Sequence, residues 1–365
     1  MEALDPVADE QKPKGAYGTR EAFQKHMEKK YGKGVMMTLA DNDRAEITHW
    51  CSTGVYGLDD AMAWGIPGGR WVEFFGEESS GKTTELMATM VENEYRGGNN
   101  ALADPEGTFN EDRYKAMGGN PAKIDLLNFD THEQFYDVLE DYIRYARNVK
   151  VPSNALNLIG VDSYPMLIPK AHLEAEGEDQ LVAVQARINS RNMPRINSLM
   201  APNTAIIILN QVRDKVGSMA WTAEGNIETP GGHIIKHMCS VRVLFNKTGQ
   251  IDNGLKGEFR KIIGMKTGAK VVKNKLGPPL RKVEFRIMFD RRGVDGVDHV
   301  LQAFRKKGLV KDGGPMHWTI KDEKVAKTDF PLWLIKHPKW QAWALEQCFD
   351  LYHPDVNAKR YVNAK

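Results

Sequence analysis

The chain has 365 residues, of which 27% are charged, and a formal net charge of +2. This length exceeds what a single core usually fills, so we expect a main domain with smaller additions. The net charge is too small for the composition to indicate nucleic-acid binding, so any DNA contact must come from local basic residues. Three distant cysteines argue against a disulfide framework or a zinc site, and without a signal peptide or long apolar run we expect a cytoplasmic protein with no membrane partner.

The first predicted element is an amphipathic helix over residues 19–31. Thr19 is placed to cap it, and Phe23, Met27 and Tyr31 form an apolar stripe at a spacing of four. The residues alone leave two interpretations open, packing on the chain's own core and docking on another chain. We then expect a strand over 35–39, a short helix from residue 58 to 64 and a strand over 70–75.

That strand leads into GEESSGKTT, which fits the phosphate-binding pattern G-x-x-x-x-G-K-[ST]. Glycines let backbone N–H groups face phosphate oxygens, the lysine supplies positive charge, and the threonine hydroxyl can coordinate Mg²⁺. A helix predicted from residue 82 to about 94 directs its positive end at the same anion. The sequence therefore predicts a nucleotide site formed by Gly76, Glu77, Glu78, Ser79, Ser80, Gly81, Lys82, Thr83 and Thr84.

Acidic residues follow two later predicted strands. The strand 101–104 leads into Pro105 and Glu106, where a carboxylate either orients an attacking water or caps a helix; the spacing leaves both open. The apolar run 155–161 ends at Asp162, which has the form of a Walker B strand whose acid reaches Mg²⁺.

The second half of the chain contains a long irregular segment. Helices are predicted over 134–147 and 181–199, and the strand 204–211 opens into about twenty irregular residues, a length that is usually functional inside a compact domain. The segment carries a mixture suited to phosphates and bases, namely Arg213, Lys215, Met219 and Trp221. Strands are expected over 241–245, 270–275 and 283–289, and from about residue 291 short helices rich in Trp and Lys predict a separate small domain.

Eight collinear stretches match one protein family. They are YGKG at 31–34, G-R-x-V-E at 69–73, GEESSGKTT at 76–84, VDS at 161–163, PKA at 169–171, NQVRxKxG at 210–217, GG at 231–232 and VVKNK at 271–275. Through them the chain resembles the RecA-type homologous recombinases over roughly residues 17–290. The resemblance implies an α/β fold with a RecA-like P-loop NTPase core, whose central, mostly parallel sheet is flanked by helices. It also implies a tail and protomer-docking helix over 1–45, the ATPase core with its DNA-binding loops over 46–290, and a small C-terminal α/β domain over 291–365.

In that family ATP lies between adjacent protomers of a helical filament on single-stranded DNA. The resemblance therefore implies a DNA-dependent ATPase that uses ATP and Mg²⁺ and catalyses homologous pairing and strand exchange in recombination and repair. Its implied partners are single-stranded DNA, double-stranded DNA as the second substrate, and further copies of the chain, with helix 19–31 docking on the next protomer. The implied location is the cytoplasm at the nucleoid, or the host cytoplasm for a phage-encoded protein.

Two other functions share some of these residues. A hexameric RecA-fold helicase motor also has the P-loop and the Walker B acid, but it would need an arginine finger in place of the lysines of VVKNK. A structural filament with vestigial hydrolysis would not need the carboxylate of Glu106.

The resemblance also implies roles for single residues. Lys82 and Thr83 bind the phosphates and Mg²⁺ with Asp162, and the adenine base stacks on Arg113 or Tyr114, which both remain candidates. The implied catalytic residues are Lys82, Glu106 as the catalytic carboxylate, Gln211 as the γ-phosphate sensor, and Lys273 and Lys275, which reach the neighbour's ATP. The DNA-binding loops fall at about 174–182 and 212–230, and the implied DNA contacts are Arg187, Arg213, Lys215, Met219, Trp221, Gly231, Gly232 and Lys270.

Three positions depart from the family pattern. Arg113 stands where bacterial members usually have a tyrosine, and Ala220 takes the aromatic position of the second loop with Trp221 beside it. Gly268 stands where a further basic residue would serve the second DNA site.

Overall fold

The computed structural model describes residues 18–38, 47–173, 181–214, 227–289, 293–295, 304, 308–314, 316–320, 323–326, 333 and 337. The chain forms two compact units, Met1–Glu46 and Ile47–Lys365.

The first unit contains helix α1, Arg20–Tyr31. The Thr19 hydroxyl caps it by accepting from the backbone N–H of Ala22 at 3.2 Å, so the predicted helix and its cap are confirmed. The strand expected over 35–39 is wrong in its described part, because residues 35–38 form bends and irregular chain. Gly32 and Gly34 both have positive φ, which ends the helix in turns rather than in a strand.

The second unit alternates strands and helices. Its strands are β1 Trp50–Cys51, β2 Ile66–Pro67, β3 Trp71–Gly76, β4 Asn99–Ala103, β5 Ile124–Leu126, β6 Asn157–Val161, β7 Thr204–Gln211, β8 Arg213–Asp214, β9 Ile227–Glu228, β10 Val241–Asp252, β11 Ile262–Asn274, β12 Lys282–Met288, β13 Gly293–Asp295, β14 Val310–Asp312, β15 His317–Ile320 and β16 Glu323–Ala326. Its helices are α2 Tyr56–Met62, α3 Lys82–Tyr95, α4 Glu111–Ala116, α5 His132–Ala146, α6 Lys170–Leu173, α7 Leu181–Leu199 and α8 His233–Met238.

Within the described residues, nine strands form one sheet in the order β13-β12-β11-β10-β3-β7-β6-β4-β5. The strands from β10 to β5 pair in parallel, and β11, β12 and β13 continue the sheet antiparallel. This arrangement confirms the predicted central, mostly parallel sheet. It also brings the carboxyl ends of β3, β7, β6 and β4 to one edge, where ligands bind in open α/β sheets.

Side chains of the parallel strands alternate between two buried cores. On β7, Ile207 and Leu209 face α2 and α3, while Ile206 and Ile208 face α5, α7 and α8. Both faces are therefore covered by helices, as the near-continuous apolar strand sequences require. Among the described residues no helix is both long and apolar enough to span a membrane.

The region after residue 290 contains strands, which its composition did not predict but the implied small α/β domain includes. Strand β13 pairs antiparallel with β12, so the main sheet reaches Asp295 and the core does not end at residue 290. Strands β14, β15 and β16 form a separate antiparallel sheet, and Trp318 on it packs with the helical residue Phe304. Trp318, with Trp333 packed against the same cluster, thus contributes to a small core.

Candidate nucleotide and DNA site

The P-loop joins β3 to α3 at the carboxyl edge of the sheet. A Cβ on Gly76 would lie 2.1 Å from the carbonyl oxygen of Phe245, and a Cβ on Gly81 (φ +101°) would lie 2.3 Å from Ile287 Cδ1. Only glycine fits either position. Helix α3 begins directly afterwards at Lys82, so its free N–H groups are presented to the loop. This geometry fits the anion cradle that the sequence predicts.

Lys82 lies inside this cradle and is only 9% exposed. Its Nζ donates to the carbonyl oxygens of Gly76 at 3.0 Å and Glu77 at 2.6 Å. Burial lowers the pKa of Lys82, and the charges of nearby carboxylates, Asp162 first, raise it. A buried ammonium whose hydrogen-bond partners are two carbonyl oxygens and, at 3.5 Å, the hydroxyl of Ser80 fits a phosphate, which would supply an anionic partner.

Asp162 follows β6 and is 7% exposed. Burial raises the pKa of its carboxyl to about 6; a hydrogen bond with Thr83 lowers it, and the charges of Glu106 and Asp104 raise it again. A carboxylate and a threonine hydroxyl side by side at a phosphate cradle supply the oxygen ligands that Mg²⁺ prefers. Thr83 and Asp162 therefore fit Mg²⁺.

Glu106 accepts a short hydrogen bond from the hydroxyl of Ser163, the residue after Asp162. The alternative that Glu106 caps a helix is wrong, because the side chain of Asn110 caps α4 by accepting from the N–H of Arg113 at 2.8 Å. Asp104 accepts the N–H of Phe109 at 2.9 Å and so shapes the intervening turn. Glu106 is therefore held toward the Mg²⁺ candidates rather than toward a helix.

A pocket of about 430 Å³ continues from the P-loop. Arg113 lines it, and its Nε has no hydrogen-bond partner among the described residues. Four lining residues, Lys247, Met265, Ile287 and Phe289, were not predicted as site residues from the sequence. Phe289 is 51% exposed and directly follows β12, which ends at Met288. The pocket is lined by Ser79, Gly81, Lys82, Thr83, Thr84, Arg113, Lys247, Met265, Ile287 and Phe289.

Tyr114, the other candidate for stacking on the base, is a core residue. It is 0% exposed, its ring packs 5.5 Å from that of Phe109, and its hydroxyl donates to Glu94 at 3.2 Å. The expectation that Tyr114 contacts the nucleotide is therefore wrong in this structure. On α4 neighbouring residues face about 100° apart, so Arg113 reaches the pocket where Tyr114 cannot.

Gln211 ends β7 and pairs in register with Gly76, the first residue of the P-loop. A buried hydrogen-bond network of Glu73, Asn210 and Arg242 contacts both roots of the loop 212–230. Glu73 Oε1 accepts from Asn210 Nδ2 at 2.9 Å, and Oε2 accepts a short bond from Arg242. The same Asn210 amide nitrogen donates to the carbonyl of Pro230 at 3.1 Å and its Oδ1 accepts the Gln211 N–H at 3.0 Å. The DNA-loop roots and the P-loop strand thus share one polar network.

Lys273 and Lys275 lie away from the P-loop of their own chain. Lys273 pairs with Arg242, which pairs with Glu73, so it lies about 10 Å along the strand from Gly76 and two strands away. Both ammonium groups reach the end of α8, with Lys273 and Lys275 donating to the carbonyl of His237 at 3.1 and 3.2 Å. Burial, and then the neighbouring Lys275 charge, lower the pKa of Lys273.

The predicted DNA contacts are only partly described. Arg187 on α7 and Arg213 on β8 are exposed, and Lys270 lines a groove of about 540 Å³ together with Glu77 and Val212. Gly231 is buried rather than open to a ligand, and Gly232 precedes α8 with φ +84°. The other predicted contacts, Lys215, Met219 and Trp221, lie outside the described residues.

A family model for the RecA N-terminal domain matches residues 19–295. The chain belongs to the RecA family. It is 36% identical over 290 residues to Protein RecA of Rhodopseudomonas palustris, covering 79% of this chain and 78% of that one. It is also 35% identical over 290 residues to Protein RecA of Syntrophus aciditrophicus (79% and 80% covered) and 36% identical over 296 residues to that of Zymomonas mobilis (80% and 78% covered).

Membership confirms the function that the resemblance implied. This RecA-family chain is a DNA-dependent ATPase and a DNA recombinase that uses ATP with Mg²⁺, forms filaments on single-stranded DNA and pairs it with a duplex. The matched residues end at 295, where β13 completes the main sheet.

Proposed function

We propose that the residues gathered at the P-loop edge carry out ATP hydrolysis in this recombinase, with Glu106 as the catalytic carboxylate. Lys82 and the P-loop residues 76–84 hold the phosphates, and Thr83 and Asp162 hold Mg²⁺, which neutralises phosphate charge when bound. Glu106 orients the attacking water and takes its proton. The supporting observation is the link from Glu106 through Ser163 to Asp162, which places an acceptor for that proton beside the metal ligands.

We propose that the adenine base lies between Arg113 and Phe289. Both residues line the pocket beyond the phosphate cradle, and the guanidinium plane and the phenyl ring can each stack on a base. The unpartnered Nε of Arg113 adds a donor that a nucleotide can use.

We propose that Gln211 couples nucleotide state to DNA affinity. It stands beside Gly76 at one root of the loop 212–230, so a hydrogen bond from its amide to the γ-phosphate forms only when ATP is present. The loop would bind DNA through Arg213, Lys215, Met219, Trp221 and Gly232, with Arg187 and Lys270 beside it. Because Gly231 is buried, its part is to set the position of the loop root.

We propose that Lys273 and Lys275 act on the ATP of a neighbouring protomer. Their position away from their own P-loop supports a role in trans, where two cations would stabilise the charge of the transition state. Residues 1–45 would provide a tail and helix α1, which would dock on the next protomer. The core would act as the ATP-driven motor, and the region after it would form a small accessory domain. We place this work in the cytoplasm at the nucleoid, or in the host cytoplasm for a phage-encoded chain.

Glu106→Gln tests the assignment of the catalytic carboxylate. The amide oxygen still accepts from Ser163, so nucleotide binding and filaments should persist while turnover on single-stranded DNA falls about 100-fold or more. Glu111→Gln is the matched control, since Glu111 is an exposed carboxylate on α4 paired with Lys115. Turnover equal to wild type in Glu106→Gln would show that another group activates the water.

A further inference from the structure

Asn189 lies in a buried cluster with Tyr136 and Tyr164 and is 0% exposed. Its Oδ1 accepts from the hydroxyls of Tyr136 at 3.0 Å and Tyr164 at 2.6 Å, and the two hydroxyl oxygens are 2.6 Å apart. Its Nδ2 donates to the carbonyl of Gly231 at 2.8 Å, which fixes the orientation of the amide. The two tyrosine hydroxyls and Asn189 Oδ1 thus form a compact group of three mutually contacting oxygen atoms.

The Tyr164 end of this cluster is attached to the nucleotide site. Tyr164 is two residues after Asp162 and follows Ser163, whose hydroxyl donates to Glu106. A short 3-10 helix, Tyr164–Met166, begins at this point, and the N–H of Met166 donates to the carbonyl of Ser163 at 3.2 Å. A shift of Asp162 and Ser163 therefore reaches the Tyr164 side chain without a flexible linker.

The Gly231 end is the far root of the loop 212–230. Gly231 has φ +95°, and a Cβ there would lie 3.2 Å from both Asn189 Nδ2 and Tyr164 Cε1, so its backbone packs directly on the two side chains. A second contact joins α7 to the segment that follows Asp162, because Gln185 Nε2 donates to the carbonyl of Leu167 at 2.8 Å. Helix α7 and the loop root are therefore fastened to the chain that follows Asp162.

We propose that Asn189 and Tyr164 are positioning residues that transmit the state of the nucleotide site to the far root of the DNA-binding loop. The inference rests on the proposed function, in which Gln211 acts at the near root. The Tyr164–Asn189–Gly231 hydrogen bonds supply a response at the far root, beside the response of Gln211 at the near root. Among the described residues, neither side chain lines the pocket at the P-loop, so ATP turnover without DNA should not depend on them.

The test compares Tyr164→Phe with Tyr136→Phe, which each remove one hydroxyl from the same cluster. The readout is the ratio of dissociation constants for fluorescent oligo(dT), measured with ADP and with a slowly hydrolysed ATP analogue at matched salt. Tyr164→Phe should reduce this ratio about fivefold, as expected for one lost hydrogen bond in the coupling. Tyr136→Phe keeps the Tyr164–Asn189 contact and should stay within about twofold of wild type, and turnover without DNA should match wild type in both.

Asn189→Leu removes the bonds to Tyr164 and Gly231 together with the one from Tyr136, so it should reduce the ratio at least as far as Tyr164→Phe. A ratio that is unchanged in Tyr164→Phe, or reduced equally in Tyr136→Phe, would overturn the inference and leave the proposed function standing. A wild-type protein whose DNA affinity ignores the nucleotide would overturn the proposed coupling through Gln211 as well.

Discussion

Binding of the Mg²⁺–nucleotide complex should weaken as the pH falls from 7 to 5. Burial is the main reason that the pKa of Asp162 is raised to about 6, and only its ionised form binds Mg²⁺ strongly. The ionised fraction then falls from about nine tenths at pH 7 to about one tenth at pH 5, so the apparent dissociation constant rises about tenfold. A carboxyl at the ordinary pKa of 3.8 would change it only about 1.1-fold.

The assay is a Mg²⁺ titration of a fluorescent ATP analogue at pH 5, 6 and 7, at constant ionic strength. The terminal phosphate of the nucleotide also takes up a proton near pH 6, so the isosteric substitution Asp162→Asn measures that share. Between pH 7 and pH 5 the wild type should lose about ten times more affinity than the Asp162→Asn protein loses. Equal pH dependence in the two proteins would refute the assignment of Asp162 as a metal ligand with a raised pKa.

Three further predictions concern the site and the core. Mixing a Lys273→Ala/Lys275→Ala protein with a Lys82→Ala protein should restore part of the DNA-stimulated turnover that each lacks, and mixtures as inactive as either protein would contradict action in trans. Arg113→Ala should weaken ATP binding roughly tenfold, measured by the same fluorescent titration, whereas an unchanged affinity would place the base elsewhere. Glu85→Gln should raise the melting temperature at pH 8 and lose this advantage near pH 4. Burial raises the pKa of Glu85 well above 4.5, so folding costs about 1.4 kcal/mol for each pH unit in which only the unfolded chain is ionised. Identical pH curves in thermal denaturation would contradict it.

The elements with strong local signals could be predicted from the sequence. The P-loop is specified by glycines that no other residue can replace, and the buried strands are specified by continuous apolar runs. The Thr19 cap is likewise a local pattern, and the capped helix and these buried strands are confirmed. The mostly parallel central sheet, by contrast, was predicted from the family resemblance rather than from periodicity, and the order of its strands was not predicted.

The errors and omissions come from tertiary contacts. The local sequence does not show whether Arg113 or Tyr114 faces the nucleotide. The packing of α4 buries Tyr114 and leaves Arg113 at the pocket. Phe289 and Lys247 join the pocket because β12 and β10 run past the P-loop, which their own sequences do not encode. The sequence around Asn189 on α7 is that of an ordinary polar helical position. Its burial follows from contacts with α5 and with the segment after β6, which the local sequence does not specify.

The most direct test of the account is ATP turnover with and without long single-stranded DNA at matched salt, in the wild type and in Gln211→Ala. We predict strong stimulation by DNA in the wild type and loss of that stimulation, with turnover in the absence of DNA retained, in the Gln211→Ala protein. Turnover in the wild type that ignores DNA would contradict the claim that the loop at Gln211 couples the nucleotide site to DNA.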